Sequence, residues 1–226
     1  MHALVHPTIA LLQTNSLASV VQQAIEQAIL SGEHAPGAKL NEATLAEKLG
    51  VSRGPIREAF RMLDEAGLVR TEKNRGVFVR DISLAEAAEI FDLRAAMEEM
   101  VGRQLAKQLT EAQQQEITTL LNEMTQAVAD QNADTYHQLN LNFHERLVEM
   151  TGNRRLLAIY RKLIKELSLF RRLNLGDFDA LPLSAQSHRD IFKAITSGVA
   201  EVAGQLMAKH VQASKQRTLT RAEQRE

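Results

Sequence analysis

Two observations predict a mostly helical chain in two parts. Ala, Leu, Glu, Gln and Arg dominate, while only 4 Pro and 11 Gly interrupt the 226 residues, a composition that favours helix over sheet. The apolar residues follow a helical period along almost the whole chain and shorten to alternation only near residues 68–80. A small mixed domain at the front and a long all-helical remainder account for both.

The elements follow in order. Residues 1–15, "MHALVHPTIALLQTN", lack the basic start and small-residue cleavage site of a signal peptide and form an N-terminal extension. Ser16 is placed to cap a helix whose Leu17, Val20, Val21, Ala24, Ile25, Ala28 and Ile29 share a face, and "SGEHAPG" ends it. "NEATLAEKLG" makes a short helix with Leu45, Ala46 and Leu49 inward and Gly50 at its close. "VSRGPIREAFRMLDEAG" offers Ser52 as N-cap and Pro55 in the first turn, with Ile56, Ala59, Phe60 and Leu63 on one apolar face. Two short β-like runs, Leu68–Thr71 and Val77–Arg80, then flank a polar turn at Lys73–Gly76. Three helices and a small hairpin over residues 16–80 make a winged helix-turn-helix.

After Asp81 the strand signals stop. Ser83–Glu86 and Thr110–Gln113 each read as a capping box. Helical patterns cover 83–108, 110–131, 133–150, 153–173, 184–197 and 199–217, with weak links at 151–153 and 175–183. The expected architecture is an antiparallel bundle of six to seven helices over 83–217, followed by a polar tail at 218–226. Cysteine is absent, which excludes disulfides and thiolate metal sites. No stretch approaches the ~20 apolar residues of a membrane span, so a cytoplasmic protein without a membrane partner is expected.

The net charge of −1 gives no reason to expect a nucleic-acid partner, so the case must rest on local charge. Arg53 and Arg57 stand four apart at a helix start, where the dipole opposes each cation by ~0.3–1 kcal/mol. Both lie away from Ile56, Phe60 and Leu63, and Arg61 extends their row. In a helix-turn-helix the second helix enters the major groove with its N-terminal residues on the base edges. An arginine fork on guanine O6 and N7 contributes ~1–3 kcal/mol of discrimination, more than the dipole costs. From Ser52 to Arg80 seven cations face four anions, a local +3. A solvated basic face is the alternative for an arbitrary arginine pair. The order of helix, helix, arginine-headed helix and basic-tipped hairpin favours DNA.

The helical half carries "YHQLNLNFHERLVEMTGN", "SAQSHRDIFKAI" and "LMAKHVQASK". Asn140 and His144 are i, i+4; His188 follows 44 residues later and His210 another 22. Three imidazoles and an oxygen donor from separate helices can bind a metal inside a bundle. Such a set suits Zn, Ni, Fe(II) or Mn and does not choose among them. Spacing alone favours capping or solvated histidines, and His137, one heptad before His144, could share the same face.

The residues "PGAKLNEATLAEKLGVSRGPIREAFRMLDEAGLVRTEKNRGVFV" resemble the DNA-binding domain of the GntR family of bacterial regulators. The resemblance implies that Ser52, Arg53, Arg57 and Arg61 face operator DNA, and that Arg75 and Gly76 form a wing tip reaching the minor groove. Ala43 departs from the pattern, since FadR-type members often carry a contacting arginine there. The helical half resembles the FCD effector domain of the FadR-like subfamily through Arg94, Asn140-x-x-x-His144, "TGN", His188 and His210. It implies a divalent metal held by Asn140, His144, His188 and His210, and Arg94 clamping an anionic effector, a carboxylate or phosphonate. Asn140 stands for the usual Asp and offers only a neutral carbonyl oxygen. The chain start and Thr135–Asn140 also resemble regulators associated with phosphonate utilisation. A homodimeric repressor follows from the family, with Arg94 paired to Glu98 or Asp92 as the structural alternative and Arg171 and Arg172 as weaker effector candidates. A metal-responsive regulator with no organic effector, or a metal-dependent all-α enzyme, would also use such a site. No HExxH or paired-carboxylate motif supports catalysis, and Glu145 and Glu149 sit about 100° and 140° around the helix from His144.

Overall fold

The computed structural model describes residues 16–171 and 181–224, which hold nine helices and three short strands. The first part holds α1 (Leu17–Ser31), β1 (Lys39–Leu40), α2 (Glu42–Leu49), α3 (Arg53–Glu65), β2 (Val69–Glu72) and β3 (Gly76–Val79). Ser16 caps α1 by accepting from the Ser19 amide, and Asn41 caps α2 by accepting from Ala43 and Thr44. Ile56, Ala59, Phe60 and Leu63 are the buried face of α3, as their spacing requires. They pack with Ile25, Ile29, Leu68, Val69 and Val79 to make the core of this small domain.

The wing has three strands rather than two. The sheet order is β1-β3-β2, antiparallel throughout, with Leu40 opposite Val77 and Val69 opposite Val79. β1 was not expected because two residues have no period to read. It buries Leu40 and leaves Lys39 exposed on the wing.

The second part holds α4 (Leu84–Gln108), α5 (Glu111–Ala129), α6 (Ala133–Met150), α7 (Arg154–Arg171), α8 (Leu181–Thr196) and α9 (Ala200–Glu223). Both capping boxes form, Ser83 with Glu86 and Thr110 with Gln113. The bundle core includes Val101, Leu105, Ile117, Met124, Phe143, Leu147, Ile191 and Met207. α4 and α9 approach backbone to backbone. A Cβ on Gly102 would lie 2.7 Å from the Ala203 carbonyl oxygen, and one on Gly204 would lie 2.9 Å from that of Glu99. Only glycine fits at either place.

Two boundaries differ from expectation. α8 begins at Leu181, with Pro182 in its first turn, where the missing N–H costs nothing. α9 continues to Glu223, so most of the expected polar tail is helical, with Ala222 buried and the Thr218 hydroxyl bonded to the Ser214 carbonyl. By compactness the chain divides between Ile82 and Ser83, and the end of α7 from Lys165 groups with the first unit. Residues 1–15 and Arg172, together with the Arg171 side chain, lie outside the described residues. Among the described residues no helix is long and apolar enough to cross a membrane.

Candidate functional site

Two sets of residues carry chemistry, one in each unit. In the first, α2 and α3 form the helix-turn-helix pair. Ser52 occupies the N-cap of α3 with extended backbone, but its hydroxyl makes no capping bond and stays exposed. No acidic residue stands in the first turn of α3. Arg53, Arg57 and Arg61 are all exposed along one side. Arg57 donates through Nε to both carboxylate oxygens of Glu42, each at 3.0 Å, and Arg61 donates through Nη2 to Glu58 at 2.9 Å. Arg53 has no ion pair among the described residues.

At the wing, the turn between β2 and β3 places Asn74 and Gly76 at φ 61° and 116°. The second value is glycine territory, and a Cβ there would also meet Cε of Lys39 at 3.0 Å. Arg75 pairs with Glu72. Lys39, Arg70 and Arg75 ring the face of Phe78 at 5.9, 5.5 and 5.8 Å from its centroid. The cationic wing therefore includes Lys39, which sequence reading missed because it belongs to the unread strand β1.

In the second unit, α6, α8 and α9 each deliver one buried histidine. His144, His188 and His210 are 2%, 0% and 7% exposed, and one ring nitrogen from each lies within 4.8 Å of the others. Nε2 of His144 and Nε2 of His188 stand 3.2 Å apart. The ring centroids of His188 and His210 are 4.3 Å apart, and those of His144 and His210 stack at 5.1 Å. Burial, reinforced by the neighbouring imidazoles, pushes His188 well below the usual histidine range and His210 down to about 3. Both rings are neutral near pH 7, the form a metal requires.

α4 supplies the charges beside them. Arg94 donates through Nε at 3.1 Å and Nη2 at 2.6 Å to Oε1 of Glu98. The Tyr160 hydroxyl donates to the same oxygen at 3.0 Å. The other oxygen, Oε2, lies 2.7 Å from Nδ1 of His144, although off the line of a hydrogen bond, so both atoms remain buried without one. Burial raises the Glu98 carboxyl, but the neighbouring His144 ring and Arg94 guanidinium outweigh it and hold the group below the ordinary carboxylate range. Nη1 of Arg94 is buried with no partner among the described residues. Tyr136 on α6 places its hydroxyl 3.3 Å from Nδ1 of His188, and burial raises that phenol to about 12.

These donors fit a divalent ion. Two imidazoles ligating at about 2.0–2.1 Å in tetrahedral geometry have nitrogens ~3.3 Å apart, close to the 3.2 Å between His144 and His188. Facing nitrogens at that distance share either a proton or a cation. Glu98 beside Nδ1 of His144 is the carboxylate neighbour that metal-binding histidines commonly have. Asn140, one turn before His144, is half-buried and its side chain makes no hydrogen bond among the described residues. The geometry brings His144, His188 and His210 together and sets Arg94 next to them through Glu98. His137 is not one of the three. Asp92 bonds instead with Lys215 and Gln212. Glu145 and Glu149 are engaged by Arg161 and Arg146. The i, i+4 spacing of Arg94 and Glu98 signalled their pair, whereas nothing in the sequence ties Tyr160 to residues 62 or more positions away.

Comparison with known proteins matches both units. The model of the GntR family of bacterial regulatory proteins covers residues 17–79, and that of the FCD domain covers 89–213. The chain is 33% identical over 193 residues to the HTH-type transcriptional regulator YdhC of Bacillus subtilis (strain 168), covering 82% of this chain and 84% of that protein. It is 28% identical to the HTH-type transcriptional repressor RspR of Escherichia coli (strain K12), covering 79% and 78%. A GntR transcriptional regulator from Rhodococcus sp. RHA1 has a similar structure, with a TM-score of 0.75 and 25% identity over 91% of this chain and 99% of that one.

Proposed function

Since the chain belongs to the GntR family of bacterial regulators and carries an FCD domain, we propose that it is an operator-binding repressor released by a small organic anion. The anion is a carboxylate or phosphonate, bound in the helical unit at a metal site. The protein is a transcriptional regulator by family rather than an enzyme. A relative named as a repressor supports the sign of its action.

The DNA half of the reading places Ser52, Arg53, Arg57 and Arg61 at base edges and phosphates of the major groove, with Arg75 and Gly76 reaching the minor groove. Two copies present two recognition helices to the half-sites of a pseudo-palindrome. Exposed Leu93 and Met100, one heptad apart on α4, support a second copy of the chain as a partner.

In the helical half, His144, His188 and His210 hold a divalent ion, Zn, Ni, Fe(II) or Mn, with the Asn140 carbonyl as the oxygen donor. Four neutral donors leave the full +2 charge of the ion to attract an anion. When bound, such an ion supplies a Lewis-acid anchor for one effector oxygen. Arg94 clamps another, and the observation that carries this role is its buried, unpartnered Nη1. A second reading, a metal-responsive regulator needing no organic effector, is favoured by Glu98 already holding two nitrogens of the same arginine.

Thermal melting of the metal-loaded protein against a panel of carboxylates and phosphonates, with His144→Ala beside it, separates the two. A ligand at ~100 times its dissociation constant stabilises by ~2.7 kcal/mol. A hit that disappears in the variant, and that releases operator DNA, is the expected result. Loss of operator binding on metal addition or chelation alone, with no hit in the panel, would establish the second reading.

A further inference from the structure

The four arginines assigned to the DNA face are held in different ways. Arg53 has no ion pair among the described residues. Arg61 and Arg75 engage through their terminal nitrogens, Nη2 to Glu58 and Nη1 to Glu72. Those are the nitrogens a base edge or a phosphate would take. Arg57 is held from behind: Nε sits 3.0 Å from both Glu42 oxygens, and neither Nη makes a hydrogen bond among the described residues.

The anchor stands on a fixed support. Glu42 is the first residue of α2, where the helix dipole favours an anion. Asn41 clamps that same turn by accepting from the Ala43 and Thr44 amides at 2.9 and 3.0 Å. The pair bridges the two helices of the helix-turn-helix across 15 residues of sequence. Glu42 is more shielded than its partner, its side chain 30% exposed against 67% for Arg57.

As an exposed ion pair this contact contributes little stability. Its effect lies in what it does to a flexible cation. A free arginine must give up rotamer entropy to fix its fork against a base, and one tethered at Nε has already given up part of it. The same carboxylate repels phosphates, so it weakens binding to DNA of any sequence. Favouring one contact while opposing all others is how specificity arises.

We infer that Glu42 is a specificity-determining positioning residue: it holds the Arg57 fork in place to read one base pair and opposes binding elsewhere. This rests on α3 being the recognition helix. Wild type, Glu42→Ala, Glu42→Gln, Arg57→Ala and the Glu42→Ala/Arg57→Ala double variant are each selected against a random-sequence duplex library. Their affinities for the preferred and a scrambled duplex are then compared at two salt concentrations, with melting curves confirming that each is folded. Glu42→Ala is expected to bind the scrambled duplex several-fold more tightly, yet to lose preference at one base pair by roughly five- to tenfold. Glu42→Gln, whose amide oxygen still accepts from Nε, retains part of that preference. The double variant shows no further loss than Arg57→Ala, because Glu42 acts through Arg57. An equal affinity gain for every sequence in Glu42→Ala, or additive losses in the double variant, overturns the inference. Full preference in Arg57→Ala also overturns it and leaves DNA binding intact. A wild-type protein with no sequence preference removes the recognition-helix reading itself.

Discussion

Arg53 and Arg57 share one side of α3, yet among the described residues Arg57 has an ion-pair partner and Arg53 has none. Arg53→Ala should therefore leave the melting temperature unchanged while costing ~1–3 kcal/mol of specific DNA binding at one base pair. Equal weakening on all sequences, measured by anisotropy, would make Arg53 a phosphate contact instead. The buried imidazoles allow a second expectation at this scale. His210 titrates near 3 in the fold and near 6.5 in an unfolded chain. Below pH 6.5 the unfolded state binds a proton that the folded state refuses, so stability falls as pH falls. His188 acts in the same direction. Glu98, held below the carboxylate range, stabilises the fold above its unfolded value near 4.3 and loses that contribution only in stronger acid. Between pH 7 and 5 the histidines are thus isolated, and His210 alone should cost the metal-free protein about 2 kcal/mol. Urea midpoints in His210→Gln should fall less over that range; an unchanged pH dependence would mean that His210 is protonated in the fold. The histidines were legible as residue types on apolar helices. Spacing alone did not fix their convergence, because intervals of 44 and 22 residues do not say which face each helix turns inward, and the resemblance to the FCD domain supplied it.

Helices and strands were legible to the extent that caps and periods mark them. Ser83 and Thr110 announced their helices through side-chain hydrogen bonds that form as expected. β1 left no trace, since two residues cannot alternate, and with it went the cationic contribution of Lys39. The end of α9 was misread because Thr218–Glu223 is polar, and its helical state is supported by the burial of one alanine. The packing of α4 on α9 was equally hidden, for a lone glycine inside a helical pattern ordinarily signals weakness. Gly102 instead permits contact: its added Cβ would meet backbone atoms of Ala203 at 2.7 and 2.9 Å, which no rotamer change can relieve. Gly102→Ala should force α4 and α9 apart and cost ~1–3 kcal/mol, despite the better helix propensity of alanine. Denaturant midpoints read this directly. A neutral or stabilising result would show that the two helices separate without penalty.

For the whole molecule, the proposed dimeric repressor depends on how its two reading heads are joined. One recognition helix offering a few arginines cannot select an operator against a genome of competing sites, since each base contact contributes only ~1–3 kcal/mol. Two heads in one dimer add their contacts, provided both meet the same face of the duplex. Inserting five base pairs between the half-sites rotates the second by roughly half a turn, out of reach of its head. Affinity should then drop to that of a single half-site, while non-specific binding and its salt dependence stay as they were. Ten base pairs restore the face but lengthen the span by ~34 Å, so a dimer of fixed reach should not recover either. Recovery at ten would mean that the heads are joined flexibly, and an effector could not then act by changing their spacing. No loss at five would mean that each head binds alone. The rigid outcome would let the proposed anion beside Arg94 release DNA by changing the spacing of the heads, because a joint with two definite positions can be biased by a ligand that prefers one of them.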